Sequence, residues 1–278
     1  TAVHNLDVML RTLQGDPMTG RYLNKTVIVT GGAGHLGQAI TRAYLRDGAD
    51  VVICGRRAPA QPIAENGRQA VFVQADIREA EQSQHVVDEA MGLFGRLDLL
   101  VNNAGGSPPM VAAEVSPMLT EKILKLNLLA PLVMSQQAYQ AMTVRRVLQA
   151  PALLGNIINI ASVSGARPSP GTAAYGAAKA GLLNATKSLA MEWGPWVRVN
   201  ALIVGLVRHD AGLDHYGGEA GFNRVANMLP LKRMAEPEDV ANACQYLSSE
   251  QASYISGATL EVDGGGEVPV FLYLAEQS

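Results

Sequence analysis

The sequence predicts an α/β fold: a doubly wound, seven-stranded parallel sheet with helices on both faces, built as a single domain. Three observations predict it. Short apolar runs of strand length alternate with longer helical segments along most of the chain. A glycine-rich turn, Thr30-Gly31-Gly32-Ala33-Gly34-His35-Leu36-Gly37, joins the first strand run to the first helix. The polar signals fall at the carboxyl ends of the strands, where such sheets bind ligands at the point where strand order reverses.

The elements follow in order. Residues 1–24 form a leader with a short amphipathic piece, Leu6 to Leu13, stopped by Gly15 and Pro17. Its expected role is an arm packed on the surface or on a partner subunit. Thr26 to Thr30 (TVIVT) is a buried strand, and a helix follows from about Leu36 to Arg46, stopped by Gly48. Asp50 to Cys54 is the second strand, and Pro59 and Pro62 keep any helix in the next connection short. Ala70 to Gln74 is the third strand, residues 79–94 a helix ended by Gly95, and Leu97 to Val101 the fourth strand. Ser116 as N-cap and Pro117 at the first helical position open a helix that runs to about Arg146. The fifth strand is 155–161, a helix covers 172–193, and the sixth strand is 197–202. Glu236-Pro237 opens a helix to about Leu247, and Thr259 to Val262 is the last strand. The domain spans 25–266. The tail 267–278 carries Val268, Val270, Phe271, Leu272 and Tyr273, and such an apolar tail is expected on a subunit interface or beside the site.

Composition narrows the class. A 278-residue chain with 48% hydrophobic residues can bury a large core. Net charge is −3, and neither a basic stripe nor a Lys/Arg block appears, which argues against nucleic-acid and membrane-surface roles. Two cysteines, Cys54 and Cys244, in strand-like and helix-like runs fit a reduced, cytoplasmic protein. The first residues lack an apolar signal region. The longest uncharged run, Val147 to Ala166, contains Pro151, Asn156 and Asn159, and reads as loop plus strand, not as a membrane span.

The chemistry centres on Ser162, Tyr175 and Lys179. Tyr175 and Lys179 stand at i and i+4, on one helix face. An ammonium there favours the phenolate and is expected to draw the tyrosine down from its usual value of ~10. A tyrosine poised near neutrality can exchange a proton with a carbonyl oxygen. Ser162 ends the strand run Ile157 to Ala161 and can hydrogen-bond the same oxygen.

The glycine turn presents free backbone N–H groups at a helix N-terminus, suited to a phosphate. An acidic residue at the end of the second strand would favour NAD. That place is Gly55, followed by Arg56 and Arg57, whose guanidinium groups suit a 2′-phosphate, so the cofactor expected is NADP(H) in preference to NAD(H). Asp76, at the end of the third strand, can receive an adenine amino group, and Asn102-Asn103-Ala104-Gly105 gives a tight turn after the fourth.

Over about residues 21–266 the chain resembles the short-chain dehydrogenase/reductase family. The motifs run in order: TGGAGHLG, Asp76-Ile77, NNAG, Asn127, IINIAS, Tyr175-x-x-x-Lys179, Arg198-Val199-Asn200, PEDVAN, and Val262-Asp263-Gly264-Gly265. The resemblance implies a Rossmann-type sheet and an NAD(P)-dependent oxidoreductase acting on a small carbonyl or alcohol. It implies Tyr175 as acid/base, Lys179 lowering its pKa and holding the nicotinamide ribose, and Ser162 stabilising the substrate oxygen. Asn127 would hold a relay water. Gly31, Gly34, His35, Leu36 and Gly37 would meet the pyrophosphate. Asp76, Ile77, Asn103, Ala104 and Gly105 would line the adenine side, and Val207 the carboxamide. Assembly through the long helices, as a homotetramer or dimer, is implied too.

Several residues depart from the family pattern. His35 replaces the middle glycine of the motif, and its ring is expected to turn outward. Val204-Gly205 stands for Pro-Gly, and Arg208-His209 for a threonine that seats the carboxamide. The segment 138–154 is longer than usual. Leu206, Leu213, Tyr216, Phe222 and Met228 suggest a moderately apolar substrate lid. His209, Asp210, Asp214 and His215 read as a solvated lid, so no metal site is expected. No G-x-S-x-G elbow is present, which argues against a serine hydrolase. Three alternatives remain: an NAD(H)-dependent alcohol dehydrogenase of the same family, a non-catalytic nucleotide-binding scaffold on this fold, and a sugar-nucleotide epimerase, which lacks support because no C-terminal substrate domain is visible.

Overall fold

A computed structural model describes residues 20–144, 153–209, 217–270 and 272. The strands are β1 (Thr26–Thr30), β2 (Asp50–Gly55), β3 (Val71–Gln74), β4 (Leu99–Asn102), β5 (Gly155–Ser162), β6 (Val197–Val204) and β7 (Thr259–Val262). They form one sheet in the order β3-β2-β1-β4-β5-β6-β7, and every pairing is parallel. Strand order reverses between β1 and β4, so the crevice for a ligand lies at their carboxyl ends. The register aligns those ends: Thr30 pairs with Cys54, Gly55 with Gln74, Asn102 with Asn159, and Ser162 with Val204.

The helices are α1 (His35–Arg46), α2 (Ala80–Phe94), α3 (Pro117–Leu124), α4 (Ala130–Thr143), α5 (Ala173–Trp193), α6 (Gly218–Met228) and α7 (Pro237–Ser248). Period-2 alternation sends β-strand side chains to two cores. Val27, Val29, Val51 and Ile53 pack with Ile40, Tyr44, Val240 and Cys244 of α1 and α7. Ile28, Val52, Cys54 and Leu100 pack with Val86 and Val87 of α2 and Met134 and Met142 of α4. Both faces are therefore covered, which is why the strands read as continuous apolar runs.

Three details differ from the sequence reading. The helix expected from Ser116 to about Arg146 is divided: a π-turn, Lys125–Leu129, separates α3 from α4. Pro131 has no N–H to give the carbonyl of Asn127 four residues back, so regular α pairing cannot pass that point. The connection from β2 to β3 holds a small antiparallel ribbon, Ala64–Glu65 with Arg68–Gln69, instead of a short helix. Within the segment read as leader, Tyr22 is a core residue. It meets Tyr44 edge-on at 4.9 Å and its hydroxyl donates to the Gln245 carbonyl at 2.8 Å. The amphipathic piece Leu6 to Leu13 and residues 145–152 of the long segment lie outside the described residues. Among the described residues, no helix is long and apolar enough to cross a membrane.

Candidate active site

The phosphate turn is tied to the end of β4 by Thr30. Its hydroxyl accepts from the N–H groups of Asn103 and Ala104, both at 3.0 Å. The Asn103 amide in turn donates to the Thr30 carbonyl at 2.9 Å. The two strands that flank the crevice thus share one polar knot. The start of α1 has Gly34 as N-cap and no side-chain cap, which leaves its first N–H groups for a ligand. Gly37 is where the backbone closes in: a Cβ there would lie 2.2 Å from the Gly31 carbonyl oxygen.

These groups open into a cavity of about 600 Å³. Gly31, Gly34, His35, Leu36, Gly37, Arg56, Arg57, Asp76, Ile77, Asn103, Ala104 and Gly105 all line it. Tyr175, Lys179 and Val207 do not line it. They belong to neighbouring elements, and Val207 sits after β6 in a bridge with Ala235. The uncapped helix start, the glycine cradle and the flanking arginines fit a dinucleotide.

At the end of the cavity beside β3 the structure adds a residue that the sequence analysis does not contain. Arg78 holds the Asp76 carboxylate through its Nε, 2.9 Å from Oδ1 and 3.1 Å from Oδ2, with a further contact from its terminal nitrogen. This ion pair, with burial opposing it, keeps the Asp76 carboxyl below its usual range. Asp76 therefore faces the cavity with its charge already partnered. The signal was present as an arginine two residues beyond the aspartate, on the same strand-end turn.

Ser162, Tyr175 and Lys179 are brought together as expected. Ser162 ends β5, and the single helical turn Val163–Ala166 follows it. The α5 backbone presses on that turn: a Cβ at Gly176 would lie 2.8 Å from the Ser164 carbonyl oxygen. Gly176, also missed in the sequence, thereby lets Tyr175 reach Ser162. The Ser162 hydroxyl is close enough to the Tyr175 phenol to pull its pKa down in part.

The ionisation differs from the expectation. Burial raises the Tyr175 pKa above 10.0, and the Ser162 hydrogen bond only partly offsets this. Lys179 does not draw it down here. Its Nζ is 5.6 Å from the Tyr175 ring centroid and donates to the Ile160 carbonyl at 2.7 Å. Lys179 is only 3% exposed, and burial pushes its own pKa down to about 8. At neutral pH the site holds a neutral phenol beside an ammonium.

Asn127, in the π-turn, has its side chain committed. Its Oδ1 accepts from Gly106 N at 2.8 Å, and its Nδ2 donates to Gly106 O and Ile123 O, each at 2.9 Å. Both amide hydrogens are committed, so the side chain clamps the turn after β4. A Cβ at Gly105 would lie 2.7 Å from Asn127 Oδ1 and 3.2 Å from Lys179 Nζ, which places this clamp against the lysine.

The remaining sequence candidates divide. The His35 ring is exposed and turns to the segment beyond β6, with Nε2 2.7 Å from the Arg208 carbonyl oxygen. Phe222, on α6, is buried. It packs with Ala226, Leu229 and Met234 in a small cluster of its own. Leu213, Tyr216, Asp210, Asp214 and His215 lie outside the described residues. At the C-terminus Glu267 pairs with Arg167, which fixes the start of the tail near the turn after Ser162. The tail beyond Leu272 lies outside the described residues.

A parallel α/β sheet with a phosphate turn at its switch point and a tyrosine–lysine pair beside it defines a dinucleotide-dependent oxidoreductase. Comparison with known proteins agrees. A family model described as enoyl-(acyl carrier protein) reductase matches residues 31–267. An uncharacterised oxidoreductase of Mycobacterium tuberculosis is 35% identical over 256 residues, covering 88% of this chain and 93% of the relative. Glucose 1-dehydrogenase 2 of Bacillus subtilis is 32% identical, covering 87% and 94%. A 3-oxoacyl-(acyl-carrier-protein) reductase, FabG, of Chlamydia trachomatis is 33% identical, covering 89% and 99%. Among solved structures, a double mutant of a Serratia marcescens short-chain dehydrogenase/reductase superposes with a TM-score of 0.77 at 29% identity, covering 88% of this chain and 98% of that one. The chain belongs to the short-chain dehydrogenase/reductase family. It is an NAD(P)-dependent oxidoreductase acting on small alcohol or carbonyl substrates.

Proposed function

We propose that the protein is an NADP(H)-dependent oxidoreductase that interconverts a ketone and a secondary alcohol. The observation that carries this reading is the convergence of Ser162, Tyr175 and Lys179, with the lysine Nζ 5.6 Å from the Tyr175 ring centroid. The bound nicotinamide supplies the hydride in reduction and accepts it in oxidation. In reduction, Tyr175 gives its proton to the carbonyl oxygen, for which the neutral phenol is the correct form. Ser162 donates a hydrogen bond to the developing oxyanion and holds it in place. Lys179 balances the charge left on Tyr175 and binds the ribose hydroxyls. Asn127 is a positioning residue that holds the turn at Gly105 and Gly106.

Arg56 and Arg57 are both exposed at the cavity rim, and no acidic side chain ends β2. This supports NADP(H), with the two guanidinium groups receiving the 2′-phosphate. Val207 is assigned to the carboxamide end. The catalytic unit covers 25–266, with the Tyr22 turn as part of its core. Met118 at 62% exposure, Leu129 at 52% and Met191 at 86% lie along the long helices, which supports a homo-oligomer, tetramer or dimer. The two buried free thiols suit a cytoplasmic protein.

The direct test is Tyr175→Phe assayed on a ketone panel with NADPH. Turnover falls about 10²-fold or more, the range of a lost general acid, while NADPH affinity in a fluorescence titration changes little. Substantial residual turnover would remove Tyr175 from its role.

A further inference from the structure

Two departures from the family pattern, far apart in sequence, meet in space. His35 opens α1 at the phosphate turn and lines the dinucleotide cavity. Its Nε2 lies 2.7 Å from the carbonyl oxygen of Arg208. A carbonyl only accepts, so Nε2 carries the proton. The His35 ring also stands edge-on to the His209 ring, with centroids 4.6 Å apart and planes at 64°.

The segment Leu206–His209 is held from its other side as well. Arg208 N donates to Ala235 O at 2.8 Å, and Ala235 N to Leu206 O at 2.9 Å. The Arg208 guanidinium lies 3.8 Å from the Glu236 carboxylate and 5.7 Å from the Phe222 ring centroid. The segment is therefore a strap. One edge is anchored to Ala235 and Glu236 at the start of α7, and His35 ties the other edge to the phosphate turn. A glycine at position 35 has no side chain with which to make this tie.

We propose that His35 is a positioning residue for the nucleotide: by donating Nε2–H to Arg208 O it holds the strap against the phosphate turn and slows release of the bound cofactor. The two replacements then explain each other. The threonine contact expected after β6 is absent, and the histidine supplies a different fastening for the same segment. The inference rests on the nucleotide reading above, and it assigns the residue a role in retention, not in hydride or proton transfer.

The test is stopped-flow displacement of NADPH from the purified protein, followed by nucleotide fluorescence, after equilibrium titration with NADPH and with NADH. His35→Ala removes the tie while keeping α1 intact. Loss of one exposed hydrogen bond accelerates release about three- to tenfold. His35→Gln places an amide N–H within reach of the same carbonyl, so it restores release to near the native rate. Rescue by glutamine is a result that a general loosening of α1 does not give. The inference is overturned if the alanine variant releases NADPH no faster than native protein, or if glutamine behaves as alanine. It is also overturned if His35→Gly tightens binding by orders of magnitude, because the ring would then obstruct the site. Native protein that binds neither nucleotide overturns the nucleotide reading and this inference with it. Native protein that binds NADPH but ignores substitution at position 35 overturns this inference alone.

Discussion

Lys179 shows how burial sets the working range of a single residue. Its side chain is enclosed, and burial lowers its pKa from 10.5 to about 8. The sign follows from the charge. Below that value the lysine is cationic and can balance a tyrosinate; as pH rises through about 8 the cation is lost and with it that support. The kcat for ketone reduction is therefore expected to fall above pH about 8. Lys179→Arg, which keeps its charge far above that range, moves the falling limb upward where it retains activity. A profile flat to pH 10 in the native enzyme would show that the charge is not used. Tyr175 was legible from its i, i+4 spacing to Lys179, but its ionisation was not. Spacing says which side chains share a face. The balance of burial against the Ser162 hydrogen bond depends on everything packed around the phenol.

At the scale of elements, α5 owes its placement to a missing side chain. Gly176 lets the helix rest on the turn after Ser162, and the next atom a Cβ would meet is a backbone oxygen, which cannot rotate away. Gly176→Val is expected to cost about 1–3 kcal/mol of stability by overpacking and to lower kcat more than it raises KM, because Tyr175 is carried away from Ser162. Denaturant unfolding and steady-state kinetics on one preparation check both parts; a stable variant with native kcat would show that the contact is slack. The break between α3 and α4 belongs to this scale too. Ser116 and Pro117 announced the helix start, and the hydroxyl of Ser116 does accept from Leu119 N at 3.2 Å. Pro131, which the helix expected to Arg146 passes through, coincides with the interruption. Its consequence, a π-turn that holds Asn127 over Gly106, required the turn after β4 to be in place.

For the whole molecule, the cofactor cavity gathers segments from β1, β2, β3 and β4, so a ligand there bridges elements that the chain connects only through long crossovers. Binding to the folded state alone stabilises by mass action, about 2.7 kcal/mol at 100 times Kd. NADPH is expected to raise the melting temperature more than NADH at equal concentration. Arg56→Ala is expected to weaken NADPH about tenfold, consistent with loss of a charge-assisted contact, and to leave the NADH shift nearly unchanged. Equal shifts from both nucleotides in the native protein would remove the arginines as selectors.

The sequence by itself determined the sheet, its parallel sense, the place of the phosphate turn and the Ser162–Tyr175–Lys179 set. These depend on local periodicity and on residue types at fixed spacing, which are properties of neighbours in the chain. Only the tertiary structure decided which partner each of these side chains took. Asp76 takes Arg78 as its ion-pair partner. The Asn127 side chain takes both backbone groups of Gly106. Phe222 packs from α6 against Leu229 and Met234. His35 and Arg208 stood as separate anomalies until the sheet brought them within hydrogen-bonding distance. The physical reason is common to them: a side chain pairs with or packs against whatever group the folded chain puts nearest, and nearness across 173 residues is set by strand order, not by spacing.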